Sequence, residues 1–89
     1  MDEKIQKVLE EKIRESTSKI NEITTIVNSF GQMKNPNMFG HGIIIGRLYN
    51  SFYYQSRRIL KRNPTEQEFS EFIQLLKKHE NELLEISFS

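Results

Sequence analysis

The 89-residue chain contains no cysteine and no tryptophan, and its only aspartate is Asp2. The absence of cysteine excludes disulfides and thiolate metal sites. The two histidines, His41 and His79, follow Met38 and Leu76 at the third position, so neither belongs to the Glu-x-x-His motif of di-iron helical bundles. A Ser-His-Asp arrangement would have to use Asp2, close to a terminus. We therefore expect no metal, no cofactor, no small-molecule substrate and no enzymatic activity.

Long apolar runs are also absent. No run approaches the roughly 18 apolar residues that a transmembrane helix requires. The first four residues are Met-Asp-Glu-Lys and lack the apolar stretch of a signal peptide. These observations predict a cytoplasmic protein with no membrane partner.

Hydrophobic residues make up 36% of the chain and charged residues 28%, a polar balance that still includes six phenylalanines. This composition predicts one domain over residues 1–89, with a modest core that a partner or a second copy could complete. The net charge of +1 argues against a protein that coats nucleic acid. Residues 43–62 nevertheless carry five bases and no acid, whereas residues 63–89 carry six acids and two bases. Positive charge is therefore concentrated in residues 43–62 and negative charge in residues 63–89.

Apolar periodicity predicts an all-α fold, either a three-helix bundle or a long helical hairpin with a long first helix. The helices are expected at about 2–30, 43–62 and 66–86, with a loop over residues 31–42. In the first helix, one stripe follows heptad spacing: Leu9, Ile13, Ser16, Ile20, Ile23, Val27 and Phe30. The serines and threonine at 16–18 could break this helix, because their side chains compete for backbone hydrogen bonds. Thr65 and Glu68 form a capping box that starts the third helix.

The central helix, 43–62, is predicted to have two unlike faces. Its apolar face recurs at steps of three and four: Ile45, Tyr49, Phe52, Ser56 and Ile59. The opposite face is basic and carries a tyrosine: Arg47, Asn50, Tyr54, Arg57, Arg58 and Lys61. A solvated surface is one interpretation of the basic face. A contact surface for phosphate or for an acidic protein is the other, because arginine and tyrosine suit both kinds of contact.

Three glycines, Gly40, Gly42 and Gly46, surround the predicted start of that helix. A glycine-rich turn before a helix can bind phosphate, but the preceding strand and the following lysine of a nucleotide loop are absent. The preferred interpretation is that another backbone passes close to Gly42 and Gly46. His79 lies on the apolar stripe of the third helix and is interpreted as a core-edge side chain.

The first helix, at about 42 Å, would be longer than its neighbours at about 30 Å each. An overhanging end would expose Ile5, Val8 and Leu9. An uncovered apolar end predicts self-association or a partner helix at these three residues.

These features favour a small non-enzymatic interaction module, such as an accessory subunit of a larger cytoplasmic assembly, that docks through the basic face. The alternative is a nucleic-acid-binding protein that uses the same face for phosphate contacts. A third possibility is a homodimer in which the basic second helix of one copy meets the acidic third helix of another. Against DNA reading, the helix that follows the short turn is the acidic one, whereas helix-turn-helix proteins place their reading helix there.

Overall fold

A computed structural model describes residues 1–88, so Ser89, the last residue of the domain predicted over 1–89, lies outside the described residues. All regular structure in the described part is helical, which confirms the all-α prediction. The elements are α1 (Glu3–Glu15), a 3₁₀ turn (Ser16–Lys19), α2 (Ile20–Asn28), α3 (Pro36–Gln55), a π-helical turn (Ser56–Leu60), α4 (Glu66–Lys78) and α5 (Glu80–Leu84). They form three rods, α1–α2, α3 and α4–α5, and α3 runs antiparallel to the other two.

The first rod is divided where serine side chains bond to the backbone. Ser16 donates to the Lys12 carbonyl at 3.0 Å, and Ser18 donates to the Glu15 carbonyl at 2.7 Å. Such bonds compete with the helical ladder, and the chain takes a 3₁₀ turn over Ser16–Lys19 before α2 begins. The continuous helix predicted over residues 2–30 is therefore wrong in detail, and the break considered at residues 16–18 is present.

The central rod begins seven residues earlier than the sequence pattern indicated. Asn35 is its N-cap, and its side chain accepts a hydrogen bond from the Met38 N–H at 3.1 Å. Pro36 occupies the first turn, where its missing N–H is no loss and its fixed φ suits a helix. The Asn-Pro pair lies inside the loop predicted over residues 31–42 but starts a helix instead. The loop predicted over 31–42 is therefore confined to residues 29–35.

The central rod ends in a wide turn. After Gln55 the chain forms a π-helical turn, Ser56–Leu60, in which the Ser56 hydroxyl donates to the Phe52 carbonyl at 2.8 Å. Lys61 then adopts a left-handed conformation with φ of 60° and stops the rod. The helical part ends at Leu60, two residues before the predicted end.

The capping box predicted at the start of the third rod is confirmed. The Glu68 N–H donates to the Thr65 hydroxyl, and the Thr65 N–H donates to the Glu68 carboxylate at 2.9 Å. The predicted helix 66–86 is interrupted at His79, whose backbone (φ −105°, ψ 15°) leaves helical geometry. The helix resumes as α5 and ends at Leu84.

The three rods share one apolar core. Its buried side chains come from every rod and from the C-terminal segment: Ile5, Leu9, Ile13, Ile23, Val27, Ile44, Leu48, Phe52, Phe72, Leu75, Leu83 and Phe88. At its centre the rings of Phe52 and Phe72 stack in parallel, with centroids 4.6 Å apart. This pair joins α3 to α4.

The buried face of α3 is rotated relative to the predicted apolar stripe. Ile44 is buried where Ile45 was expected, and Tyr49, expected in the core, is 47% exposed. The sequence pattern does not determine which side of the helix is buried here. Residues 43–45 are all isoleucine, and any one of them could belong to the apolar stripe. Small and polar residues, including Ser51 and Gln55, complete the buried face.

No apolar overhang exists at the start of α1. Ile5 and Leu9 are buried in the core and Val8 is half-buried. The rod is covered there because α4 reaches the N-terminus, where the Met1 amino group lies 2.7 Å from the Glu71 carboxylate. Self-association was predicted because these three residues were expected to be exposed. That expected exposure was wrong.

The glycines of α3 also differ from expectation. Gly42 and Gly46 face open space, with no atom within 4 Å of an added Cβ, so the prediction of a close backbone there was wrong. Gly40 is the glycine with a packing role, since a methyl group at that position would overlap the Phe88 ring. The C-terminal segment is held there by two further contacts: the Phe88 N–H donates to Asn37 Oδ1, and the rings of His41 and Phe88 meet edge to face.

The capping box makes the free energy of unfolding depend on pH in the acid range. Arg62, 2.7 Å away, and the Thr65 N–H hold the pKa of Glu68 at about 2. A lowered folded-state pKa contributes stability above the unfolded pKa of about 4.5, and this contribution is lost as pH falls toward 2. We expect urea unfolding of wild type and Glu68→Gln to differ at pH 7 and to converge by about pH 2. Glu66→Gln, in the same turn, is the control, and an unchanged difference at low pH would contradict the assignment.

Candidate functional site

The predicted basic face occupies the flank of α3 beside its buried face. Asn50 and Tyr54 are exposed, Tyr54 by 56%, and Arg47 is half-buried. These residues follow the three- and four-residue spacing of the helix, so the structure brings them to one side.

A cleft of about 260 Å³ opens between α1 and this flank of α3. Six residues line it: Lys12, Arg47, Asn50, Ser51, Tyr54 and Gln55. Three of them belong to the predicted face, and the other three were missed. Lys12 comes from the other rod and had one available signal, its place between Leu9 and Ser16 at the edge of the apolar stripe of α1. Ser51 and Gln55 were missed because the phase of the α3 stripe was wrong.

The polar groups at the floor of the cleft are hydrogen-bond donors. Ser51 is 5% exposed, and its hydroxyl has no hydrogen-bond partner within residues 1–88. Arg58 donates to the Gln55 Oε1 at 3.3 Å, which leaves the amide nitrogen of Gln55 as its free donor. Lys12 and Arg47 also line the cleft and no carboxylate does, so the lining is rich in donors. Such a site favours an anion.

Arg57 and Lys61 lie apart from the cleft. The Arg57 guanidinium lies over the Tyr53 ring, 5.9 Å from its centroid, and contributes a cation–π contact. Tyr53 also meets Tyr49 edge to face at 5.1 Å, and its hydroxyl raises the pKa of Tyr49 by hydrogen bonding. Lys61 follows the wide turn in a left-handed conformation. We call the surface of the six predicted residues the basic face, and the cleft adjoins its Arg47, Asn50 and Tyr54.

Most of the positive charge on this face is uncompensated. Within the described residues, the four cations of the basic face form no ion pair, and neither does Lys12 in the cleft. Arg62, which follows the face along the chain, is paired with Glu68. The acids of α4 and α5 lie on the other rod. An exposed set of like charges raises the local concentration of anionic partners.

The two histidines have structural roles in this fold. His41 Nε2 lies 2.6 Å from the Ile86 carbonyl, which ties the C-terminal segment to the start of α3. His79 Nδ1 lies 3.2 Å from the Glu82 carboxylate at the junction of α4 and α5, while its Nε2 is buried without a partner within residues 1–88. No cluster of three metal-binding side chains occurs in the part of the chain that the structure describes.

No protein-family model, no curated protein and no solved structure matches this chain. None of the helices described between residues 1 and 88 is long and apolar enough to span a bilayer. The geometry of the basic face is therefore the principal basis for a functional proposal.

Proposed function

We propose that this chain is a small, non-enzymatic helical interaction module, an accessory subunit of a larger cytoplasmic assembly, that docks an acidic protein partner on its basic face. The observation that carries the proposal is the group of cations on and beside α3 that form no ion pair within the described chain, with the exposed ring of Tyr54 among them. Partner carboxylates would supply the missing charge.

The kinds of side chain present support a protein contact. Arginine and tyrosine are enriched among the interface residues that contribute most of the binding energy, because both combine a large apolar surface with directional hydrogen bonds. Arg57 is already ordered by the Tyr53 ring, and Arg58 by Gln55. Side chains that are ordered before binding lose less conformational entropy when a partner arrives.

Nucleic acid is the alternative partner for the same face. Its cations could contact backbone phosphates, which would give binding that weakens steeply with salt. Two features disfavour this alternative: the net charge is only +1, and α4, which follows the short turn, begins with the acids Glu66 and Glu68. A homodimer that pairs basic α3 with acidic α4 of a second copy is the remaining candidate.

A double charge reversal tests the basic face. We expect Arg57→Glu with Arg58→Glu to remain folded, because both side chains are exposed, and to lose at least about tenfold in affinity for the partner. The measurement is copurification of a stoichiometric protein with tagged chain from its native host. The matched control reverses two adjacent exposed lysines on α4, Lys77→Glu with Lys78→Glu, and should retain the partner.

The outcomes separate the three candidates. Retention of the partner by the Arg57 and Arg58 variant would show that the basic face is not the docking surface. Salt-sensitive binding to random duplex DNA, lost in the same variant, would favour the nucleic-acid alternative. A concentration-dependent dimer in sedimentation, abolished by the Arg57 and Arg58 reversal and retained by the Lys77 and Lys78 reversal, would favour self-association.

A further inference from the structure

We infer that the cleft between α1 and α3 is a binding site for a single phosphate monoester group. This inference rests on the proposed function, because it names the chemical group recognised at one side of the basic face. The cleft is lined by Lys12, Arg47, Asn50, Ser51, Tyr54 and Gln55.

The charge of the cleft matches a dianion. Lys12 and Arg47 approach it from opposite rods, and neither forms an ion pair within residues 1–88. A phosphate monoester carries about −1.5 to −2 charge near neutral pH. One such group would neutralise both cations, whereas a carboxylate or a phosphodiester would leave one positive charge.

The hydrogen-bonding capacity also suits phosphate. The arginine fork, the lysine ammonium and the amide nitrogen of Gln55 are donors, since Oε1 of Gln55 already accepts from Arg58. A phosphate monoester presents three acceptor oxygens on one atom, and several charge-assisted bonds can therefore converge on it. Asn50 and Tyr54 stand at the exposed side and could reach the same group.

The buried Ser51 hydroxyl supports the inference independently of the charge of the cleft. It is buried at the floor of the cleft and has no hydrogen-bond partner in the described chain. A buried hydroxyl without a partner is costly, so such groups usually mark a place where a ligand or an ordered molecule bonds. Because the Ser51 oxygen is inaccessible in this structure, the side chain would turn toward the cleft when it donates to a phosphate oxygen.

The test is a titration of the purified 89-residue chain with inorganic phosphate, followed by the amide signals of α1 and α3 in NMR spectra at constant ionic strength. We expect saturable shifts at residues that line the cleft, and affinity lowered about tenfold by Arg47→Gln and by Lys12→Gln. Lys7→Gln and Arg57→Gln are the matched controls, because neither residue lines the cleft. Equal shifts with acetate, or equal weakening by the controls, would overturn the inference.

Ser51→Ala provides a readout that a merely structural serine would not show. Removing an unpartnered buried hydroxyl from a helix should raise the midpoint of thermal unfolding. The same variant should bind phosphate about three- to tenfold more weakly, because one donor is lost. Higher stability with unchanged phosphate affinity would remove Ser51 from the site and contradict the inference.

Two probes identify the source of the phosphate. A peptide that carries phosphoserine should bind more tightly than inorganic phosphate if the group belongs to a protein partner, and equally if the natural ligand is a free molecule; either result supports the site. Absence of saturable binding by both probes overturns it. The titration uses the chain alone, so its failure is distinguishable from a failure to copurify a partner.

Discussion

Phe52→Ala is expected to destabilise the fold by about 3–5 kcal/mol, the usual range for a buried phenylalanine. Phe52 is fully buried and stacks on Phe72 at 4.6 Å, so truncation opens a cavity between α3 and α4. Domains of this size have a total stability on the order of 5–15 kcal/mol, so the variant would lose a large part of it. Urea unfolding followed by circular dichroism measures the change.

The control lies two residues away. Tyr54→Ala removes a ring of similar size from the same helix, but from an exposed position, and should change the free energy of unfolding by roughly 0.5 kcal/mol or less. Similar losses in the two variants would contradict the placement of Phe52 at the centre of the core. Phe72→Ala should resemble Phe52→Ala, and the double variant should lose less than the sum, because the two rings share one contact.

Alanine at Gly40 and alanine at Gly42 are expected to have opposite effects. Both glycines lie inside α3, where alanine stabilises a helix by about 1 kcal/mol relative to glycine. Gly42 faces open space and should show this gain. At Gly40 the added methyl group displaces the Phe88 ring, and loss of its burial, about 1.5–3 kcal/mol, outweighs the gain. Thermal or urea unfolding of the two variants measures the difference.

Phe88→Ala shows whether the ring is the cause. In that background Gly40→Ala should become stabilising, as Gly42→Ala is in the wild type, because no ring remains to be displaced. If Gly40→Ala stays destabilising without the ring, the contact with the C-terminal segment is not the reason. The change in unfolding free energy caused by Gly40→Ala should therefore reverse its sign in the Phe88→Ala background. This reversal can be detected even where each single effect is about 1 kcal/mol.

The fold also explains how the basic face acquires its cleft. The cleft lies between α1, which the 3₁₀ turn at Ser16–Lys19 follows, and α3, where the small residue Ser51 lines the gap. Arg58 reaches back from the π-helical turn to hold Gln55 at the edge of the gap.

Local patterns in the sequence were sufficient for the helical class and for some boundaries. The capping box at Thr65 and Glu68 depends only on residues three apart, so its chemistry is visible in the sequence. Heptad spacing likewise identified Leu9, Ile13 and Ile23 as core residues. Asn35 and Pro36 show the limit of such patterns, because this pair can end one helix or begin the next, and only the neighbouring packing distinguishes the two.

By itself, the sequence determined that this chain is all-α, where the third rod starts, and that bases gather on the central helix, because each depends on residues within one or two turns of one another. Tertiary structure alone decided which isoleucine of the 43–45 run is buried, that Gly40 receives Phe88, and that Lys12 joins Arg47 across a cleft. These contacts join residues 35 to 48 positions apart, and local periodicity carries no information about which rods meet or about their rotation.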